Sequence, residues 1–240
     1  MYGDSSLLAL LPARGGSKGL PNKNILECAG KPLIHWTISA ALEVSLIDDV
    51  LVSTDSPEIA EISRRAGASV PFLRPDELAA DDSSILDAVR HAWENRLDAR
   101  GRHYDYVVLL QPTSPLRTAA HIRDAIDFYF RNRRSHDDIL ASVYEVSRKH
   151  AWLMERGDNG EYIRFCLDIN STNPQRQQLR SYYLPNGAIF IARGASLGKN
   201  LYGDSTLPFV MDASDSVDVD TSEELKDAET ILLTRQGALR

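Results

Sequence analysis

The chain has 240 residues, 43% hydrophobic and 25% charged, which suits one α/β domain with or without a small appendage. Its formal net charge of −7 argues against a nucleic-acid-binding face. The two cysteines, Cys28 and Cys166, lie outside any CxxC or Cys/His pattern, so the core is expected to form without disulfides or structural metal, in a reducing compartment. The apolar run Leu7–Pro12 is too short for a signal core or a membrane span; no membrane contact and a cytoplasmic location are expected.

Leu7–Leu11, closed by Pro12, reads as a buried parallel strand. A Gly-rich loop follows, and then a helix over Pro32–Val44 with Leu33, Ile34, Ile38, Ala41 and Leu42 on one face. Asp49–Thr54 is the second strand. Ser56-Pro57-Glu58 supplies an N-cap, a proline at the first helical position and an acidic first turn, and Gly67 ends that helix. Asp81–Ser84 caps a helix bearing Ile85, Leu86, Val89 and Trp93. Tyr106–Leu110 is a strand, Thr118 caps a helix bearing Ile122, Ile126 and Tyr129, and Ile139–Tyr144 is a further strand. This alternation predicts a three-layer, Rossmann-like, mostly parallel sheet. It breaks over residues 150–183, an excursion rich in Arg, Gln and Asn with a turn signal at Asn159-Gly160 and aromatic residues to bury. Asn186–Ala192 resumes strand character, and a last helix starts near Ser222. Residues 1–240 thus read as a single domain with one inserted arm.

Several constellations bear on chemistry. Pro12–Asn24 follows the first strand, at the carboxyl end where open α/β sheets bind ligands. Its glycines at 15, 16 and 19 let backbone N–H groups converge on an anion, and Arg14, Lys18 and Lys23 add positive charge suited to a triphosphate. The pattern matches neither GxGxxG nor the Walker loop, and on composition alone a solvated surface loop stays open. Gln111–Arg117 (QPTSPLR) follows the third strand, where Gln111 could bond a base or ribose and Arg117 an anionic group, or the arginine could simply face solvent. Asp218 and Asp220, two apart in an extended segment, present both carboxylates to one face, as Mg²⁺ or a solvated acidic stretch would each allow. Arg176, among glutamines in the excursion, could pair with a carboxylate. The six histidines are too scattered to form a metal cluster, and no Gly-x-Ser-x-Gly elbow is present.

Together these segments resemble the CMP-sialic acid synthetase, or acylneuraminate cytidylyltransferase, family. The resemblance is carried, in one order along nearly the whole chain, by LALLPARGGSKG from Leu8, Lys23-Asn24, VSTD from Val52, Leu73-Arg74-Pro75, LQPTSPLRT from Leu110, Arg176-Gln177-Gln178, NGAIFI from Asn186 and SVDVDT from Ser216. It implies a homodimer in which the 150–183 arm of one subunit reaches the sugar site of the other. It also implies transfer of CMP from CTP to the anomeric hydroxyl of a nonulosonic sugar acid, with release of pyrophosphate. By matching position, Ala13, Arg14, Gly15, Gly16, Ser17, Lys23 and Asn24 would hold CTP, joined by Ser84 and Gln111. Gln111, Arg117, Arg176, Tyr183 and Asn186 would serve the sugar side, and Asp218 and Asp220 would hold Mg²⁺, with Arg14 and Lys23 as their catalytic partners. Family members specific for N-acetylneuraminate often carry a lysine in the arm and an arginine before Pro-Asn-Gly. Trp152 and Leu184 stand there, which points towards a related acid such as legionaminate or pseudaminate. A pyrophosphorylase acting on a sugar phosphate, or a CTP-binding relative without turnover, are the alternatives.

Overall fold

The computed structural model describes residues 5–17, 19–80, 82–147, 149–150, 153–156, 163–165, 181–197, 201–203 and 205–237. The expectations for Lys18, Trp152, Cys166, Arg176 and the Asn159-Gly160 turn fall outside them. In chain order the elements are β1 (Leu7–Pro12), β2 (Glu27–Cys28), β3 (Lys31–Pro32), α1 (Leu33–Leu42), β4 (Asp49–Ser53), α2 (Pro57–Arg65), α3 (Ile85–Glu94), β5 (Tyr106–Leu109), α4 (Ala119–Asn132), β6 (Ile139–Val146), β7 (Met154–Arg156), β8 (Ile163–Phe165), β9 (Tyr182–Arg193), β10 (Thr206–Met211) and α5 (Ser222–Gly237).

Six strands form the main sheet in the order β10-β6-β9-β5-β1-β4. β9 runs antiparallel to both β5 and β6, and the remaining pairs are parallel. Successive side chains of a strand alternate between faces. Leu7, Ala9 and Leu11 of β1 therefore pack with Ile34 and Ile38 of α1, Ile59 of α2 and Ile122, Ile126 and Tyr129 of α4. Leu8 and Leu10 pack on the other face with Val89 and Ala92 of α3. The expected three layers are present. A third cluster seats Ala228 and Leu232 of α5 against Cys28, Leu33, Leu116 and Val219. Of the 150–183 excursion, β7 and β8 pair antiparallel in a small sheet of their own.

Local differences from the sequence reading have physical causes. Pro32 belongs to the β2–β3 hairpin, whose turn residues Ala29 and Gly30 both hold positive φ (51° and 79°), as a tight two-residue turn requires. α1 therefore starts one residue later than expected. Leu42 is 48% exposed instead of facing the sheet, because at the end of α1 it reaches sideways over Gly67. The caps agree with expectation: the Ser56, Ser84 and Thr118 side chains each accept a backbone N–H from the first turn of their helix.

The far end of α3 is held by Trp93, whose Nε1 donates to Tyr104 O at 2.8 Å. Its indole lies over Gly194, where a Cβ would come 2.2 Å from Nε1. Gly194→Ala is expected to destabilise the fold by about 2–3 kcal/mol through overpacking. A thermal melt should show a Tm lowered by roughly 4–12 °C; an unchanged Tm would refute this seating of α3.

Candidate active site

The carboxyl ends of the parallel strands open into a cleft of about 480 Å³. Pro12, Leu78, Ile85, Ala88 and Pro112 give one part of its wall an apolar character, while Arg14, Lys23 and Asp220 charge another. Ser17, Asn24, Ser84 and Gln111 also line it. The Ser84 hydroxyl oxygen caps α3 by accepting Leu86 N–H at 3.2 Å, so its proton stays available to a ligand.

The first loop is shaped by its own contacts. Ala13 is fully buried and donates to Ser53 O at 2.9 Å, so it continues the sheet and does not face the cleft. Gly15 N–H is taken by Asp55 Oδ1 at 2.9 Å, so this expected anion donor is already engaged. Gly16 is exposed and in open space. Asn24 Nδ2 donates to Arg14 O at 3.0 Å and fixes the arginine's backbone, while Arg14 Nη1 reaches Ala80 O at 3.4 Å across the cleft. Gly19 is required by packing, since a Cβ there would lie 2.8 Å from Asp220 O.

That contact joins the start of the chain to its far end. Lys23 Nζ lies 2.6 Å from Asp220 Oδ1. Between the two aspartates Val219 is fully buried, and its N–H donates to Thr113 O at 2.8 Å. The segment thus turns Val219 inward, while Asp220 lines the cleft and Asp218, its Oδ1 buried, lies beside Gly187. Among the described residues neither the buried Asp218 Oδ1 nor the buried Thr113 hydroxyl has a hydrogen-bond partner. Burial pushes the Asp218 carboxyl above the usual carboxylate range; Thr113 and Lys23 oppose the shift, and Asp220 and Glu224 add to it. Gly187, at φ 69°, lets β9 pass close by: a Cβ there would meet Gln111 Oε1 at 3.1 Å and Asp218 Oδ2 at 3.3 Å.

Two side chains expected to touch substrate are instead internal supports. Arg117 is 2% exposed and donates to Gln111 O at 3.1 Å, Ala188 O at 2.8 Å and the Thr37 hydroxyl, so it holds the loop from beneath and faces no ligand. With neutral partners only, burial brings its pKa down to about 9. Asn186 is likewise buried. Its amide bonds the hydroxyls of Ser142 and Ser216, linking β6, β9 and the segment before Asp218. Tyr183 is 45% exposed on β9 opposite Glu145 and does not line the cleft.

Arg74 has a part in the cleft that its sequence context does not disclose. It is buried at the cleft wall, donating to Ser53 Oγ at 3.1 Å and to Ser53 O. Burial lowers its pKa, with the Asp55 charge acting in the opposite direction. The only signal for it was its place in Leu73-Arg74-Pro75.

A family model described as cytidylyltransferase matches residues 8–156. The chain belongs to the cytidylyltransferase family. It is 36% identical over 97% of its length to the CMP-N,N'-diacetyllegionaminic acid synthase of Legionella pneumophila, covering 99% of that protein. It is 35% identical to the N-acylneuraminate cytidylyltransferase of Escherichia coli over 95% of its length, spanning 52% of that longer relative. The pseudaminic acid cytidylyltransferase of Campylobacter jejuni is 30% identical over 93% of this chain and 95% of its own. Among solved structures, a CMP:2-keto-3-deoxy-manno-octonic acid synthetase complexed with CTP matches with a TM-score of 0.73 at 18% identity, covering 96% of this chain and all of that one. A 4-diphosphocytidyl-2C-methyl-D-erythritol synthase from Anaerococcus prevotii matches at 0.64 and 14% identity. These two likenesses confirm the fold of this cytidylyltransferase.

The partnerless Asp218 oxygen generates a prediction. Folding disfavours the ionised form of this carboxyl, so its charge destabilises the protein above the ordinary carboxylate range and ceases to do so once pH falls far enough to protonate it. Asp218→Asn should raise Tm at pH 7, with the gain shrinking in acid. A lower Tm at pH 7 would contradict this account of Asp218.

Proposed function

We propose that this cytidylyltransferase transfers CMP from CTP to the anomeric hydroxyl of a nonulosonic acid and releases pyrophosphate. The observation that carries the proposal is the meeting of the cationic first loop with the two-aspartate segment at one cleft, through Gly19, Lys23 and Asp220. The names of three relatives, which cover legionaminic, neuraminic and pseudaminic acids, support the acceptor class.

The apolar wall with Arg74 and the Ser84 hydroxyl suits the cytosine end of the nucleotide, and Arg14 and Lys23 suit its phosphates. Asp218 and Asp220 fit Mg²⁺: one offers a buried oxygen with no other partner, and both are hard oxygen donors. Among the described residues no group of three His, Cys, Asp or Glu forms a ready cation cage, which agrees with an ion that completes its shell from phosphate and water. Bound there, Mg²⁺ would neutralise phosphate charge. The protein's own part is to orient the α-phosphorus for in-line attack and to balance negative charge, since phosphoryl chemistry of this kind depends on positioning and electrostatics. As the sugar hydroxyl gives up its proton to solvent and its oxygen bonds to phosphorus, the bond to pyrophosphate breaks, and Arg14 and Lys23 would stabilise that leaving group.

The same reading makes the 150–183 segment the arm of a homodimer that reaches the partner's sugar site, and places the enzyme in the cytoplasm. Leu184, 45% exposed on β9, stands where N-acetylneuraminate enzymes often have arginine, which favours an altered sugar contact.

Pyrophosphate release is the direct test, with CTP and Mg²⁺ against a panel of nine-carbon nonulosonic acids. Release with at least one acid, without any sugar phosphate, is expected, and Asp218→Ala should reduce turnover on the order of 10²-fold or more. Release only with sugar phosphates, or CTP binding without turnover across the panel, would overturn the reading.

A further inference from the structure

We infer that Glu224, in the first turn of α5, is a positioning residue that fixes the backbone of Asp220 for divalent-cation binding; this rests on the metal role given above to Asp218 and Asp220. The Asp218–Asp220 segment has three fastenings: one on the Val219 peptide, one on the Asp220 carboxylate and one on the Asp220 peptide. Val219 N–H is held by Thr113 O at 2.8 Å and its side chain is buried in the α5 cluster. The Asp220 carboxylate is met by Lys23 Nζ at 2.6 Å. The Asp220 peptide N–H is held by Glu224, whose Oε2 accepts Asp220 N–H at 2.9 Å, Thr221 N–H at 2.8 Å and the Thr221 hydroxyl at 2.9 Å.

Two functions meet in this carboxylate. Thr221 Oγ1 accepts Glu224 N–H at 3.3 Å, so Thr221 and Glu224 together form the reciprocal cap of α5. A cap needs only the N–H of the capping residue, which is Thr221. The additional bond to Asp220 N–H reaches one residue further back, into the segment that carries the carboxylates. Groups that orient a metal ligand in this way typically matter 10-fold to 100-fold to metal affinity.

The test compares Glu224→Ala, Glu224→Gln and Thr221→Ala with the wild type, reading Mn²⁺ binding to the CTP-loaded protein by electron paramagnetic resonance alongside Tm. Glu224→Ala should weaken Mn²⁺ binding by about 10-fold or more. Glu224→Gln, which keeps an acceptor oxygen, should recover most of that loss. Thr221→Ala removes the cap to Glu224 N–H and should lower Tm while leaving Mn²⁺ affinity near the wild-type value. Equal Tm losses in Glu224→Ala and Thr221→Ala with Mn²⁺ affinity unchanged in both would reduce Glu224 to a helix cap and overturn the inference. A wild-type protein that binds no Mn²⁺ with CTP would instead refute the underlying metal assignment.

Discussion

Val219 is the point at which the two ends of the chain are locked together. Its side chain is wholly buried among Cys28, Leu33 and Leu116 and the α5 residues Ala228 and Leu232, and its N–H is bonded to Thr113 O. Burying a valine is favourable by about 1.5–3 kcal/mol, and the extended backbone then obliges Asp218 and Asp220 to face away from that core. The carboxylates are therefore positioned by a hydrophobic contact, not by attraction to each other, which would be repulsive. Thr113 O is itself fixed because its loop is buried and clamped from below by Arg117. A fully buried arginine bonded to two carbonyls and a hydroxyl thus acts on the site through the backbone it holds.

The glycines at the cleft serve this docking as much as they serve any ligand. Gly19 lets the first loop press against Asp220 O, and Gly187 lets β9 pass beside Gln111 and Asp218. Polar supports close the arrangement from the sheet side, where Asn186 ties Ser142 to Ser216 just ahead of Asp218. The resulting cleft combines an apolar wall, the cations Arg14, Lys23 and Arg74 and the Asp220 carboxylate, with the desolvated Asp218 two residues away in the same segment. Its chemistry suits the triphosphate and hard cation of the proposed reaction.

Much of this was legible in the sequence because its signals are local. Continuous apolar runs marked β1, β4, β5 and β6, and Ser56, Ser84 and Thr118 marked helix starts. What was not legible depends on relations between distant segments. Strand direction leaves no trace in a period-two pattern, so β9 could be located but not recognised as antiparallel. β10 escaped because Pro208 interrupts it; the strand lies at the sheet edge, where a missing N–H is tolerated. The spacing of Asp218 and Asp220 gave their shared face, but burial decided the rest: Arg117 and Asn186 carry polar side chains in a loop-like context, and both are enclosed supports. Arg74 went without a role in the residue reading for the converse reason, since only the folded cleft shows that its buried guanidinium forms part of the wall.

Hydrogen exchange with and without CTP and Mg²⁺ tests the central claim most directly. If the first loop and the two-aspartate segment surround one nucleotide, protection should rise together over residues 19–26, 83–88 and 217–224. Protection confined to the first loop, with 217–224 exchanging as in the free protein, would contradict it.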